Sequence, residues 1–414
     1  MRLFSDTYTD LKPGTVPIEP YYSEDYYRRE QQRVFRGQWL MVGRVEQLAQ
    51  PGDYFNKDLA VLESSVFVMR GDDGKLRAFH NSCRHRGNRV LAKSCGKLGK
   101  AFTCGFHGWT YDLSGSLIRV PDEECFTDLH KDELGLRGLA CDTWNGFIFI
   151  NTDPRPRESL TAFIGKEMDA QVAGFPFAGM ELAATYEVEL GANWKFLAEA
   201  YQEAYHVIAV HKDTVADRGT VSRWEVERRA ALRGEAPPAL PDDPTPGHHF
   251  SSVRLFDRHR SMSVFGKPKS DHQLPPAIDL CARFAPSPTR SDYGGLNTHK
   301  DASWGADLHF LFPNTELLMV TPTWYLQLGF WPVNAQRSRM EVNFYRQPPR
   351  TAGELLAMEY FEANFRDIVR EDVAALEPAQ AMFRSGATSG LWLSDQEIPA
   401  RHSFEVIDRH VRAD

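Results

Sequence analysis

Residues 81–109 read NSCRHRGNRVLAKSCGKLGKAFTCGFHGW. Three of the chain's six cysteines and two of its fourteen histidines fall here. They pair as Cys83-x-His85 and Cys104-x-x-His107, with eighteen residues between the pairs. Each pair suits the tip of one loop. Two thiolates and two imidazoles are a ligand set for tetrahedral zinc or for a two-iron, two-sulfur cluster. Zinc loops favour two to four residues between paired ligands, so the single-residue gap argues for the cluster. Gly87, Gly105 and Gly108 let the backbone approach a cluster and point N–H donors at its sulfurs. Trp109 stands ready to cover the group from water. Cys95 has no partner at ligand spacing and reads as a small loop residue.

Outward from this stretch the texture is β. DLAVLESSVFVMRGDDGKLRAFH, residues 58–80, gives two alternating runs joined by a GDDG turn. WNGFIFINT, residues 144–152, is another strand. PYYSEDYYRREQQRVFRG, residues 20–37, reads as a polar helix after a loop. Beyond DPRPRE the pattern changes. ATYEVELGANWKF predicts a strand entering a helix, AEAYQEAYHVIAVH. Residues 212–300 are loop-rich, most irregular at RGEAPPALPDDPTPGHHF, and predict a lid, a binding loop or disorder. ADLHFLFPNTELLMVT, WYLQLGFWPV and SRMEVNFYRQ predict three strands in meander order. GELLAMEYFEANFRDIVREDVAALE predicts a long amphipathic helix.

At 414 residues the chain exceeds what one hydrophobic core serves, so two domains are expected. Hydrophobic residues make up 42% and charged residues 25%, as in soluble globular proteins. The net charge of −8 and the lack of a basic block argue against nucleic acid as a partner. The N-terminus has no apolar core of a signal peptide. The most apolar run, LLMVTPTWYLQLGFWPV, is broken by Pro322 and Pro332 and alternates like strands. A cytoplasmic protein that spans no membrane is expected. Cys125, Cys141 and Cys281 read as structural.

The second constellation lies in NWKFLAEAYQEAYHVIAVH. Glu199, Glu203 and His206 recur at helical spacing and would share one helix face. His206 and His211 are five residues apart, about 140° on a regular helix. Both face one metal only if the helix ends near Val207–Val210 or carries a π-type bulge. The alternative is one capping or core histidine and one surface histidine. In the late helix Asp372 falls in line with Phe361, Phe365, Ile368 and Leu376. A carboxylate in an apolar stripe is costly unless paired or metal-bound. A buried salt bridge is the other explanation for Asp372. Glu371, on a neighbouring face, is the second choice of carboxylate. Two histidines and one carboxylate form the facial triad of non-haem iron oxygenases.

With both constellations in view the chain resembles a known family. CRHRG followed by CGFHGW resembles the Rieske cluster signature. NWK, an acidic residue three before the first histidine, a second histidine five later, and REDVAALEPAQ are similar to the catalytic α subunit of Rieske non-haem iron (ring-hydroxylating) oxygenases. The resemblance implies that Cys83 and Cys104 hold one iron of a [2Fe-2S] cluster and that His85 and His107 hold the other. It implies that His206, His211 and Asp372 bind a mononuclear Fe(II), with O2 as co-substrate. Glu203 stands at the acidic bridge position between a Rieske histidine of a neighbouring subunit and an iron histidine. Many aromatic dioxygenases carry Asp there, whereas Glu is common in demethylating and quaternary-ammonium members. Ala200 departs from a frequent Asn.

The implied fold is α+β. An all-β Rieske domain is inserted before a helix-grip-type catalytic domain with an antiparallel sheet and flanking helices. Residues 1–37 would pack on the catalytic domain, 38–152 would form the Rieske domain and 153–414 the catalytic domain. The implied partners are a small-molecule substrate, a ferredoxin and/or NAD(P)H-dependent reductase, the other chains of a homotrimer, and a possible small β subunit. The implied reaction is hydroxylation of an aromatic or other hydrophobic ring. Oxidative demethylation or C–N cleavage, and a non-catalytic electron carrier, are the alternatives. The substrate pocket is expected between the iron helix and the late sheet, with Phe196, Leu308, Phe310, Phe312, Leu318 and Trp324 as candidate lining.

Overall fold

Alternation becomes a ladder at residues 53–80. The structure is a computed structural model that describes residues 4–11, 14–211, 214, 233–235, 251–265, 294–298 and 304–413. After a 3-10 turn at Phe4–Asp6 come a short strand, β1 (Thr15–Pro17), and helix α1 (Glu24–Glu30), which runs on as a π-helical turn through Phe35. Strands β2 (Leu40–Arg44), β3 (Asp53–Leu59), β4 (Ser64–Arg70) and β5 (Leu76–His80) follow. The GDDG turn links β4 to β5, with Gly71 N–H donating to Lys75 O at 2.9 Å. Then come β6 (Cys95–Lys97), β7 (Ala101–Thr103), β8 (Thr110–Asp112), β9 (Leu117–Arg119), β10 (Gly138–Trp144) and β11 (Phe147–Asn151). Asn145 and Gly146, at φ 49° and 81°, make the tight turn between the last two. Positive φ at both central residues matches the right-handed twist of the flanking strands.

Two compact units result, residues 28–163 and residues 1–27 with 164–414. The N-terminal stretch 1–37 is thus divided between them. In the first unit one antiparallel sheet has the order β2-β11-β10-β5-β4-β3-β6, and a second has the order β7-β8-β9. Its core gathers Phe67, Phe79, Phe102, Trp109 and Tyr111 around Cys83 and Cys104.

The second unit is built on a seven-stranded sheet. Helix α2 (Leu160–Gln171), within which the unit boundary falls, leads into β12 (Glu181–Leu190), α3 (Trp194–Ala200) and the short α4 (Val207–Val210). Strands β13 (Ser251–Leu255), β14 (Arg260–Phe265), β15 (Trp304–Leu311), β16 (Thr315–Thr321), β17 (Trp324–Asn334) and β18 (Arg337–Arg346) complete the sheet, in the order β12-β18-β17-β16-β15-β14-β13. Helix α5 (Ala352–Met382) lays Met358, Phe365, Ile368, Val369 and Leu376 against Leu326, Leu328, Phe344 and Met340 of this sheet. Each such side chain contributes about 1.5–3 kcal/mol of burial. Strand β19 (Gly390–Trp392) pairs with β1, and helix α6 (Ile398–Arg412) buries Phe404, Ile407 and Val411. Among the described residues no helix is long and apolar enough to cross a membrane. The architecture is α+β, with antiparallel sheets throughout.

Three local expectations are corrected. ADLHFLFPNTELLMVT is two strands, β15 and β16, because the chain reverses at residues 312–314. Within 212–300 the segments 251–255 and 260–265 pair as a hairpin, so this part is not loop. The irregular stretch RGEAPPALPDDPTPGHHF lies outside the described residues except at 233–235. The helix expected through His211 ends at Ala200 and resumes for a single turn at Val207. Glu199, Glu203 and His206 therefore do not share a helix face.

Candidate metal centres

Cys83 and Cys104 head two turns of one design. Cys83 O accepts from Gly87 N–H at 2.9 Å, and Cys104 O accepts from Gly108 N–H at 3.1 Å. Cys83 N–H donates to Asn88 O and Cys104 N–H to Trp109 O, both at 2.8 Å. Each turn closes four residues after its cysteine on a glycine at positive φ, 74° at Gly87 and 76° at Gly108. That conformation carries little cost only for glycine. The shared turn explains why the histidine can sit two or three places after the cysteine while the glycine stays at the fourth.

The two thiols are buried and the two imidazoles half-buried. The His85 and His107 rings meet at 4.5 Å between centroids, and Trp109 stacks on His85 at 4.9 Å. Tyr111 hydroxyl lies 3.2 Å from Cys83 Sγ, and the Asn88 amide points at Cys104 Sγ from 3.6 Å. Against burial, the N–H of Phe106 and the Asn88 amide hold the Cys104 thiol below its ordinary value. Burial, then the neighbouring charges of His107 and Arg86, holds His85 below its ordinary value and so toward the neutral ligand form. His85 Nδ1 is buried with no hydrogen-bond partner. A buried imidazole nitrogen left empty is costly. The donor set therefore fits a cluster bound through two sulfurs on one side and two nitrogens on the other.

The second centre forms where α4 meets α5. His211 Nε2 lies 3.0 Å from Asp372 Oδ1 and 3.2 Å from His206 Nε2, and His206 Nε2 lies 3.7 Å from Asp372 Oδ1. Ligands about 2.1 Å from one ion at right angles stand about 3 Å apart, so the trio fits a single metal held on one face. Among the described residues this is the group of three potential ligands that converges within 4.8 Å.

The broken helix makes this convergence possible. Asn193 caps α3, accepting from Lys195 N–H at 2.9 Å. After Tyr201 the chain turns, and the Glu203 carboxylate gathers the turn. It accepts from the backbone N–H of Tyr205 and of His206, and from His206 Nδ1 at 2.5 Å. His206 is thereby fixed with Nε2 toward Asp372. Glu371 does the same for His211, accepting from Nδ1 at 2.8 Å and from the Thr214 hydroxyl at 2.6 Å. Against burial, Asp372 and Glu371 hold the His211 imidazole above its ordinary value. Tyr201 is buried beside Asp372. Burial first, then the Asp372 charge, holds its phenol well above the usual range.

A cavity of about 200 Å³ borders His206 and Asp372 of the trio, lined also by Phe196, Glu203, Leu391 and Glu397 among others. Of the expected lining residues, Phe196 alone borders it. Leu308 and Phe310 edge a separate, smaller cavity. Trp324 and Leu318 pack in the core, and Phe312 is buried against His410. Alternation on β16 and β17 turns Leu318 and Trp324 into the layer between sheet and α5.

Of the remaining cysteines, Cys95 is exposed on β6, Cys125 is exposed and Cys141 is half-buried, its thiol pushed up to about 12 by burial. Cys281 lies outside the described residues. Sequence reasoning missed Glu371 as the partner of His211, and missed Tyr111, Asn88 and Thr214 entirely. For Glu371 the adjacency to Asp372 was the available signal.

Residues 38–136 match the Rieske [2Fe-2S] domain family, and residues 177–413 match the ring hydroxylating alpha subunit (catalytic domain) family. The chain belongs to the ring-hydroxylating α-subunit family of Rieske oxygenases. It is 35% identical over 206 residues to the benzene 1,2-dioxygenase subunit alpha of Pseudomonas putida, covering 49% of this chain and 45% of that one. It is 33% identical over 200 residues to the carnitine monooxygenase oxygenase subunit of Acinetobacter baumannii, covering 48% and 52%. The chain thus spans about half the length of the curated relatives it matches. In fold it is similar over 99% of both chains to a quaternary ammonium Rieske monooxygenase solved with γ-butyrobetaine, with a TM-score of 0.71 and 20% identity.

Proposed function

We propose that the chain is the terminal component of a multicomponent Rieske oxygenase that hydroxylates an aromatic or other hydrophobic ring. In this reading it works in the cytoplasm. Electrons come from a ferredoxin and/or an NAD(P)H-dependent reductase. Residues 38–152 carry the cluster on Cys83, His85, Cys104 and His107. Residues 153–414 carry the mononuclear iron on His206, His211 and Asp372, and residues 1–27 pack on that catalytic portion. The observation that carries the reading is the convergence of three neutral or anionic ligand atoms on one face, beside a cavity with an apolar wall.

Iron held by His206, His211 and Asp372 would supply open positions for O2 and substrate, and a cluster held by Cys83, His85, Cys104 and His107 would supply single electrons. The protein's own part is positional. Glu203 and Glu371 each hold a histidine Nδ1–H, which fixes the tautomer and aims the Nε2 lone pair inward. Phe196, Leu376 and Leu391 give the cavity an apolar wall. A homotrimer, with or without a small β subunit, brings His107 of one copy toward Glu203 of the next, and a closed ring of heterologous contacts satisfies that need.

The test is turnover of a panel of aromatic acids, hydrocarbons and N-methylated compounds with a surrogate reductase. Products are read by mass, and labelled O2 counts the atoms incorporated. Two irons per chain and no oxygen uptake would leave an electron carrier instead. Glutamate at position 203 favours a second reading, oxidative demethylation or C–N cleavage by the same centre, and the N-methylated arm of the panel decides between the two.

A further inference from the structure

Between Asn81 and Tyr111 the chain carries Arg84, Arg86, Arg89, Lys93, Lys97 and Lys100 and no acidic residue, although its net charge is −8. Arg84 is half-buried and the other five are exposed. Arg84 and Arg86 flank the cluster ligand His85, and the Arg86 guanidinium lies 5.8 Å over the ring of Phe106, the neighbour of His107. The three lysines surround β6, the strand that ends its sheet. The same segment sends Val90 and Leu91 into the core that holds Cys83 and Cys104, and Leu98 packs on that core. Few acids offset these charges. Asp58 pairs with Arg89 at 2.8 Å, and Asp53 is the ladder partner of Lys97. Arg86, Lys93, Lys97 and Lys100 form no ion pair with any described residue.

A charged surface run is often no more than a solvated face. Here the cations adjoin the two ligand turns, whereas downstream acids gather at Asp122, Glu123, Glu124, Asp128, Asp132 and Glu133. A positive face attracts an acidic partner, raises the encounter rate about 10- to 1,000-fold, and loses that advantage as salt screens it. Lysine is depleted from long-lived interfaces, whereas weak electron-transfer encounters are small. The exposed aromatic side chains beside the imidazoles, Phe106 against His107 and Phe126 against His85, suit a lasting contact with a second copy. The lysines around β6 suit a transient one.

We propose that the face formed by Arg86, Lys93, Lys97 and Lys100 is the docking surface for an acidic one-electron carrier protein that reduces the cluster. The inference rests on the terminal-oxygenase reading and gives its electron donor a place and a charge. The carrier loses one electron and the cluster gains it; no covalent bond forms or breaks.

Plant-type ferredoxin, an acidic [2Fe-2S] protein of low potential, is the probe. Calorimetry on the cluster-loaded chain, without O2 or ring substrate, would measure binding of its oxidised form. Stopped flow would follow cluster reduction by its reduced form. Affinity and rate should both fall as salt rises from about 10 mM to about 500 mM. The triple variant Lys93→Gln, Lys97→Gln, Lys100→Gln should weaken binding about 10-fold at low salt, and the matching triple Glu variant about 100-fold. Reduction by the methyl viologen radical, a small cation, should not slow in either. No measurable binding, binding indifferent to salt and to both variants, or variants that slow methyl viologen equally would overturn the docking face. A change in assembly mass with ferredoxin binding unchanged overturns it in favour of a second copy. Tighter binding of a DNA oligonucleotide than of ferredoxin overturns it in favour of a polyanion site. The wild-type salt dependence decides even where a variant loses its cluster. Ring-substrate turnover plays no part, so the ring-hydroxylation reading can fail while the docking face stands, and the reverse.

Discussion

Removing the Glu371 side chain tests whether the His211 tautomer is held from outside the metal. Glu371→Ala deletes the acceptor that takes His211 Nδ1–H at 2.8 Å and frees the Thr214 hydroxyl. His211 is buried, so its Nδ1–H would be left without a partner at a cost of about 1–3 kcal/mol. Loss of such an outer partner lowers metal affinity about 10- to 100-fold, equivalent to about 1.4–2.7 kcal/mol. The two estimates agree because they describe one event, the freeing of the ring to rotate or change tautomer. Glu371 is half-exposed, so no core cavity complicates the result. The assay is iron content per chain after dialysis against a chelator of graded strength, with the Rieske absorbance as internal standard. Mononuclear iron should be lost at about 10- to 100-fold weaker chelation than in the wild type, with the cluster spectrum unchanged. Equal retention of that iron, at equal cluster content, would refute the reasoning.

Glu203→Gln keeps an acceptor for His206 Nδ1 but removes the charge, so both metal centres should load while oxygen-dependent turnover is lost; normal turnover would remove the bridge role. Tyr111→Phe deletes the hydroxyl 3.2 Å from Cys83 Sγ and should lower the cluster's reduction potential, read by redox titration. Gly108→Ala forces a side chain into φ 76° with Pro121 3.0 Å away, and should destabilise the cluster-binding unit by about 1–3 kcal/mol in thermal unfolding. Burial pushes His309 down to about 4 and His402 to about 3, so both fold as neutral rings. The unfolded chain binds more protons than the folded one between those values and the ordinary histidine value of about 6.5. Stability is therefore full above that value and falls with acidification toward pH 4, by about 1.4 kcal/mol per pH unit for each ring at most. Urea unfolding across that range checks it, and His309→Gln should flatten the slope.

Much of the first centre is local, and so was legible. Cys83 to Gly87 and Cys104 to Gly108 are closed turns whose residues are neighbours in sequence. Their spacing, and the glycines that permit positive φ, are written within 81–109. The hairpin at residues 64–80 was legible for the same reason: alternation and a GDDG turn act over a few residues. The second centre was harder. His206 and Asp372 are far apart in sequence, and only an apolar stripe interrupted by a carboxylate, with the family likeness of REDVAALEPAQ, pointed to the late helix. The expected helix through His211 failed because Glu203 draws backbone N–H groups of Tyr205 and His206 to its carboxylate, an interaction that competes with helical hydrogen bonding.

By itself the sequence determined the types of ligand, the turns that hold two of them, and the alternating strands that frame both units, since these depend on neighbours within a few residues. Tertiary structure alone decided that His206, His211 and Asp372 converge, that Glu371 serves a histidine, and that the late-sheet aromatics pack inward. Those outcomes depend on which face of a helix or strand meets which neighbour. That is fixed by packing of the whole sheet against α3 and α5, and no local spacing encodes it.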